Sequence, residues 1–171
     1  MISPVLQRGN KTRKLDYLIQ DAVGRGCDSI VTFGSSQSNW CRMTAAAAGR
    51  CGLDAYLFLA GREPARATAN LVLDRLAGAH IEHIDSDSES DLVQACTERA
   101  ERLKKAGRRP YYMAVGGSNP IGCTGYIGAM GEIIDWEQKN GESFSKNFCC
   151  IRVGRDTGRP GSGQDNLRLA G

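Results

Sequence analysis

The 171-residue chain contains no apolar run approaching the ~18 residues that cross a bilayer, and no secretory signal opens it. Its seven cysteines (Cys27, Cys41, Cys51, Cys96, Cys123, Cys149 and Cys150) form no Cys-x-x-Cys pair and no Cys/His metal spacing, and their number is odd. A disulfide framework and a bound metal are therefore not expected. Most of these thiols fall in apolar segments, where cysteine acts as a small hydrophobe, and the expected address is a reducing cytoplasm. Charge of one sign is also scarce: the net charge is +3 and the basic residues are scattered. Nucleic-acid binders cluster Lys and Arg on one face, so neither a nucleic-acid nor a membrane partner is expected. No Gly-x-Gly-x-x-Gly or Gly-x-x-x-x-Gly-Lys-Ser/Thr follows the first strand-like run, which weighs against an unrelated nucleotide-binding domain.

What is present is a regular alternation of helix and strand patterns from Asn10 to about Ile134. Lys14, Leu15, Leu18, Ile19, Ala22 and Val23 follow helical spacing, with Gly26 as a stop. Ser29–Phe33 is a β-rich run ending at Gly34. Ser38 and Asn39 are good N-cap types ahead of the alanine-rich stretch Met43–Ala48, which leads toward Gly52. Ala55–Leu59 reads as a second strand, Ala67–Leu76 as a helix ending at Gly78, and Ile81–Ile84 as a third strand. Ser90–Ala106 is a longer amphipathic helix, Tyr111–Val115 a fourth strand and Gly122–Ile134 a further helix. Short glycine-marked turns between such elements predict an α/β fold, a three-layer arrangement of parallel strands with flanking helices. Ligand sites in parallel sheets lie at the carboxyl ends of strands. The polar loops Gly34–Asn39 and Gly116–Asn119 occupy that position. The segment 1–9 is too short to form a domain. The segment 135–171 reads as incomplete or irregular: Gly154–Asn166 holds four glycines, one proline and no aliphatic residue, too little apolar surface to repay ordering.

Three motifs carry chemistry. In Gly9-Asn10-Lys11-Thr12-Arg13-Lys14-Leu15-Asp16-Tyr17, a lysine stands at the start of a helix. The helix field there opposes positive charge and favours the neutral amine that attacks an aldehyde. In Gly34-Ser35-Ser36-Gln37-Ser38-Asn39-Trp40-Cys41-Arg42, a polar turn leads into a helix whose first N–H groups can hold a carboxylate. The third motif is Pro110-Tyr111-Tyr112-Met113-Ala114-Val115-Gly116-Gly117-Ser118-Asn119-Pro120-Ile121-Gly122. Without further context these read as a solvated basic cluster, a helix cap and a turn. Together they closely resemble the D-cysteine desulfhydrase / 1-aminocyclopropane-1-carboxylate deaminase family, pyridoxal-phosphate (PLP) enzymes of fold type II, related to the tryptophan synthase β subunit. Asn70–Ala79 also resembles the family's Asn-Leu-x-Leu-Asp-x-x-x-Gly-Ala segment, and the Gly-Gly-Ser-Asn form looks more like the desulfhydrase branch. Arg8 stands where the family has the first of two glycines.

The resemblance covers about Arg8 to Ile134, perhaps half of a complete member: the small domain and part of the large one. It implies that Lys11 holds PLP as a Schiff base and then acts as the base at Cα. It further implies that Ser38, with Gln37 and Asn39, meets the substrate, and that Asn39 and Asn10 face the cofactor. D-cysteine would yield pyruvate, sulfide and ammonia; aminocyclopropane carboxylate would yield 2-oxobutyrate and ammonia. Full-length relatives are expected to be homodimers. The family's glycine-rich phosphate loop is not visible. In its place stands Ile151-Arg152-Val153-Gly154-Arg155-Asp156-Thr157-Gly158-Arg159. Read one base out of frame, codons compatible with these residues encode Ser-Ala-Ser-Gly-Gly-Thr-Gln-Ala-Gly, which is close to the missing loop. The expectation is thus a truncated chain, frameshifted after Cys150. The alternative is a non-catalytic fragment of such an enzyme that does not bind PLP productively.

Overall fold

The computed structural model describes residues 11–145. Asn10, the segment 1–9 and the stretch 151–159 on which the frameshift reading rests lie outside the described residues. The elements run α1 (Thr12–Gly24), β1 (Ser29–Ser35), α2 (Asn39–Arg50), β2 (Asp54–Ala60), α3 (Ala69–Leu76), β3 (His80–Ile84), α4 (Glu89–Lys105), β4 (Pro110–Tyr112), a single 3₁₀ turn (Val115–Gly117) and α5 (Pro120–Asn140). The four strands form one sheet of order β3-β2-β1-β4, and every pairing is parallel. The expected α/β architecture is therefore present. The largest departures from the sequence reading are at the end of β4 and the end of α5. Met113, Ala114 and Val115 leave the fourth strand because the glycine pair that follows turns the chain with left-handed backbone, Gly116 at φ +65° and Gly117 at φ +63°. The last helix runs on through Ile134 to Asn140 and stops at Gly141, which is left-handed at φ +64°.

Chain order explains the layers. Two successive right-handed crossovers, β1 to β2 and β2 to β3, place α2 and α3 on one face; the return from β3 to β4 places α4 on the other. The first face packs Ile30, Leu57, Leu59 and Met113 against Leu15 and Leu18 of α1, Trp40 and Met43 of α2, and Leu71 of α3. The second packs Val31, Phe33 and Phe58 against Leu92, Cys96 and Leu103 of α4. Ile30 and Val31 thus serve opposite cores, as the two-residue period of a strand requires. Five free cysteines are described: Cys41 and Cys96 are buried, while Cys51 and Cys123 are exposed rather than in an apolar interior. Among the described residues no helix is long and apolar enough to cross a membrane, and no cluster of three potential metal ligands occurs.

The amino edge of the sheet is clamped by charge. Arg108 pairs with Asp28 at 3.1 Å and with Asp54 at 2.6 Å, tying the starts of β1, β2 and β4 together. Tyr111 donates to Asp21 of α1 at 2.6 Å, and burial, reinforced by that bond, pushes its phenol up to about 12.

Asp74 in the core lacks such a partner. Asp74 of α3 is 1 % exposed, and neither carboxylate oxygen has a hydrogen-bond partner among the described residues. Burial, opposed by nearby Arg42, pushes it up to about 6, against about 3.9 for an unperturbed aspartate. The native state therefore keeps a proton that the unfolded chain has released. Stability falls as pH rises from about 4 to about 6 and stays at the lower level above that. Asp74→Asn is expected to be more stable than the parent at about pH 7, by up to about 3 kcal/mol, with the gap closing near about pH 4. Thermal melts across this range check it; a gap that widens on acidification would contradict it.

Candidate active site

The sheet order defines the place to look. The chain leaves β1 toward β2 on one side and returns to β4 on the other, so the topological switch lies between β1 and β4, and its crevice opens at their carboxyl ends. The loop after β1 and the turn after β4 border it. α1 ends at Gly24 and a short turn delivers the chain to the amino end of β1. α1 therefore runs antiparallel to the strands, and Lys11, at its N-cap, stands at the same carboxyl edge.

Lys11 is brought to the turn after β4: a Cβ added to Gly116 would lie 3.8 Å from its Nζ. Lys14 also reaches this turn, its Nζ 3.5 Å from Ser118 Oγ. The helix bearing both lysines is held by α5. Gly125 lies against the Arg13 carbonyl, where an added Cβ would collide with it, and Arg13 makes a two-pronged pair with Glu132 at 2.7 and 2.5 Å.

Ser38 is the N-cap of α2 and accepts a hydrogen bond from the Cys41 N–H at 3.2 Å. Ser38 N–H in turn donates to Ser35 carbonyl at 2.9 Å, so the loop folds back over Gly34. A side chain at Gly34 would meet Ser38 Oγ at 2.7 Å and Cys41 Sγ at 2.9 Å. Burial pushes the Cys41 thiol up to about 12, which makes it packing rather than a nucleophile.

Gln37 and Asn39 turn toward α3. Gln37 Nε2 donates to the Thr68 carbonyl at 3.2 Å and its Oε1 accepts from Asn70 N–H at 3.0 Å. Asn70 Nδ2 donates to the Gln37 carbonyl at 2.9 Å and to Asn39 Oδ1 at 3.0 Å. The Gln37 side chain, expected to meet substrate, is thus engaged with α3. Asn10 lies outside the described residues.

Trp40, to which the sequence assigns no chemistry, joins the two groups. It is buried, and its Nε1 donates to Thr32 Oγ1 at 2.9 Å, which donates on to the Met113 carbonyl at 2.8 Å. Its ring packs where a Cβ on Gly117 would lie: that atom would stand 2.8 Å from Trp40 Cη2 and 2.9 Å from Leu18 Cδ1. Gly122 faces the Gly117 carbonyl too closely for any side chain, and Asn119 caps α5 by accepting from Gly122 N–H at 2.8 Å. Each glycine of the third motif therefore answers to a specific neighbour. Trp40, Thr32 and Asn70 were missed because their partners are distant in sequence. A hollow of about 370 Å³ lies elsewhere, on the flank of α2 and α3 beside Ala46, Gly49, Leu73 and Leu76. It is not lined by Lys11, Ser38 or Asn39.

A helix-start lysine thus stands beside a left-handed glycine at the switch point of a parallel α/β sheet. The chain belongs to the pyridoxal-phosphate dependent enzyme family, whose profile matches residues 7–156. It is 39 % identical over 133 residues to the bifunctional D-cysteine desulfhydrase/1-aminocyclopropane-1-carboxylate deaminase, mitochondrial, of Arabidopsis thaliana, covering 73 % of this chain and 33 % of that relative. It is 36 % identical over 149 residues to the D-cysteine desulfhydrase of Serratia proteamaculans, covering 84 % and 44 %. Among solved structures it matches an ACC deaminase homologue with a TM-score of 0.69 and 42 % identity, over 74 % of this chain and 38 % of that one. The chain thus spans well under half the length of these relatives.

Gly117→Ala combines a left-handed φ with two contacts that must give way. It is expected to destabilise the chain by about 2–4 kcal/mol and to quench or shift Trp40 fluorescence. Chemical denaturation followed at the indole checks both; an unchanged midpoint would show that the turn can slide off α2.

Proposed function

We propose that this chain is the cofactor-lysine portion of a PLP-dependent lyase or deaminase acting on a small amino acid, D-cysteine or 1-aminocyclopropane-1-carboxylate. The observation that carries the proposal is the Lys11 amine beside Gly116, at the crevice between β1 and β4. The residues present fit the aldehyde end of the cofactor: Gly116 has no side chain to fill the space next to the amine. Family membership and the names of the relatives supply the reaction class.

When bound, PLP supplies an electron sink that stabilises negative charge at the substrate Cα. Lys11 would bind its aldehyde carbon and, once freed by the substrate amine, take and return the Cα proton at Nζ. Ser38 would orient the substrate carboxylate with the first-turn N–H groups of α2. Asn39, and Asn10 from the segment before α1, would face the cofactor. The domain division that accompanies this reading is an α/β unit over 10–134, with 1–9 and 135–171 apart from it.

The non-catalytic alternative is favoured by one observation: no counterpart of the family's phosphate loop is legible at 151–159. Losing two or three charge-assisted hydrogen bonds to a phosphate, at ~1.5–3 kcal/mol each, weakens cofactor binding by several orders of magnitude. The 171-residue chain incubated with PLP and reduced with borohydride is expected to carry a pyridoxyl group on Lys11, by peptide mass, and Lys11→Ala to lose it. The same chain is expected to release at most traces of pyruvate or 2-oxobutyrate. Labelling spread over surface lysines would remove the Lys11 assignment, and brisk turnover would remove the requirement for a phosphate loop.

A further inference from the structure

We infer that Asn70, at the start of α3, is a positioning residue: it holds the Asn39 amide in one orientation, so that Asn39 offers only N–H hydrogens to a ligand. The inference rests on the reading above, in which Asn39 faces the cofactor.

Several groups around Asn70 have a polarity that is not adjustable. A backbone carbonyl only accepts and a backbone N–H only donates, whereas the two ends of an Asn or Gln amide can exchange by rotation. The Gln37 carbonyl is 2.9 Å from Asn70 Nδ2, so the donor end of Asn70 must point there. That nitrogen has no lone pair to offer; it lies 3.0 Å from Asn39 Oδ1 and donates its second hydrogen there. A flipped Asn39 would set NH2 against NH2, so Asn39 is held with its oxygen toward α3. Gln37 is fixed by the same logic: Asn70 N–H donates to its Oε1 at 3.0 Å and its Nε2 donates to the Thr68 carbonyl at 3.2 Å. Three side-chain amides are thus oriented by three main-chain groups, with no ambiguity left in any of them.

Backbone geometry at this corner points the same way. Ala69 is the only non-glycine residue with positive φ among the described residues, at +46°. A Cβ is disfavoured in that region, and the distortion falls at the residue that delivers Asn70 to the network. The ligand chemistry follows: a donor-only amide suits an oxygen that carries negative charge, such as a ring phenolate, and disfavours a hydroxyl that must donate.

Asn70→Asp tests this. The carboxylate is nearly isosteric and keeps the backbone N–H for Gln37, but it can only accept, so it should draw the Asn39 NH2 toward α3 and leave Oδ1 facing the ligand. In the 171-residue chain without cofactor, the side-chain ¹⁵N–H pair of Asn39 is expected to shift and to exchange more slowly in Asn70→Asp. An unchanged pair overturns the inference whatever Lys11 does. In the chain mixed with PLP, borohydride labelling of Lys11 should fall about tenfold, the loss of one hydrogen bond to a charged oxygen. The deprotonation midpoint of the visible chromophore should also rise by about one pH unit, because a donor no longer stabilises the anion. In an Asn39→Ala background Asn70→Asp should have no further effect on either. An equal effect in that background would mean that Asn70 is merely structural. Wild-type chain unlabelled at Lys11 would sink the proposed function alone, since the cofactor-free amide spectrum still decides the role of Asn70.

Discussion

Gly117 has neighbours on two sides and no room for a methyl group on either. Trp40 of α2 and Leu18 of α1 occupy the positions a Cβ would contact, and the carbonyl of the same residue presses on Gly122 at the start of α5. One small residue therefore keys three helices to the end of β4. Because protein interiors pack to crystal-like density, the turn cannot settle elsewhere without opening a void or a clash. The position of Gly116 beside Lys11 follows from where Gly117 is wedged. Trp40 completes the arrangement through Thr32, whose hydroxyl reaches the Met113 carbonyl, joining α2 to the very stretch where β4 gives way to the turn.

The two edges of the sheet divide the work. Ion pairs of Arg108 with Asp28 and Asp54 close the amino edge, where exposed charge pairs add only modestly to stability. The carboxyl edge is built from helix starts and short polar side chains. α1, α2 and α5 all begin there, and so their first-turn N–H groups and positive dipole ends gather on one side of the molecule. Helix starts gathered in this way favour a carboxylate or phosphate at that edge.

α5 has a different character from the other helices. Only Gly122 and Gly125 on it are buried, while Tyr126, Ile127, Met130, Ile134 and Trp136 are exposed. A helix with apolar residues on several sides is suited to burial on more than one face. Its contact with α1, through the Arg13 carbonyl at Gly125, uses one face alone. The match covers 33 % and 44 % of the length of the two desulfhydrase relatives.

Much of this was legible in the residues alone. Periodicity, glycine stops and N-cap types place four parallel strands and their helices, because each of these signals is local and depends on backbone geometry rather than on distant contacts. The motifs around Lys11, Ser38 and Gly116 could be located for the same reason, and the rule for parallel sheets put them on one edge. Tertiary structure alone decided which of those polar groups are available. Gln37 reads as a substrate contact from its motif, and the fold sets one of its N–H groups against Thr68 and its oxygen against the Asn70 N–H. Trp40 reads as an arbitrary apolar position, yet it holds the turn. Met113–Val115 reads as strand, yet the left-handed glycines after it bend the chain away. For Gln37 and for the Trp40–Thr32–Met113 relay, the deciding partners lie about 30 to 80 residues away along the chain. A side chain's hydrogen-bonding capacity is a property of its type, but whether any of that capacity remains for a ligand depends on which groups the fold sets against it.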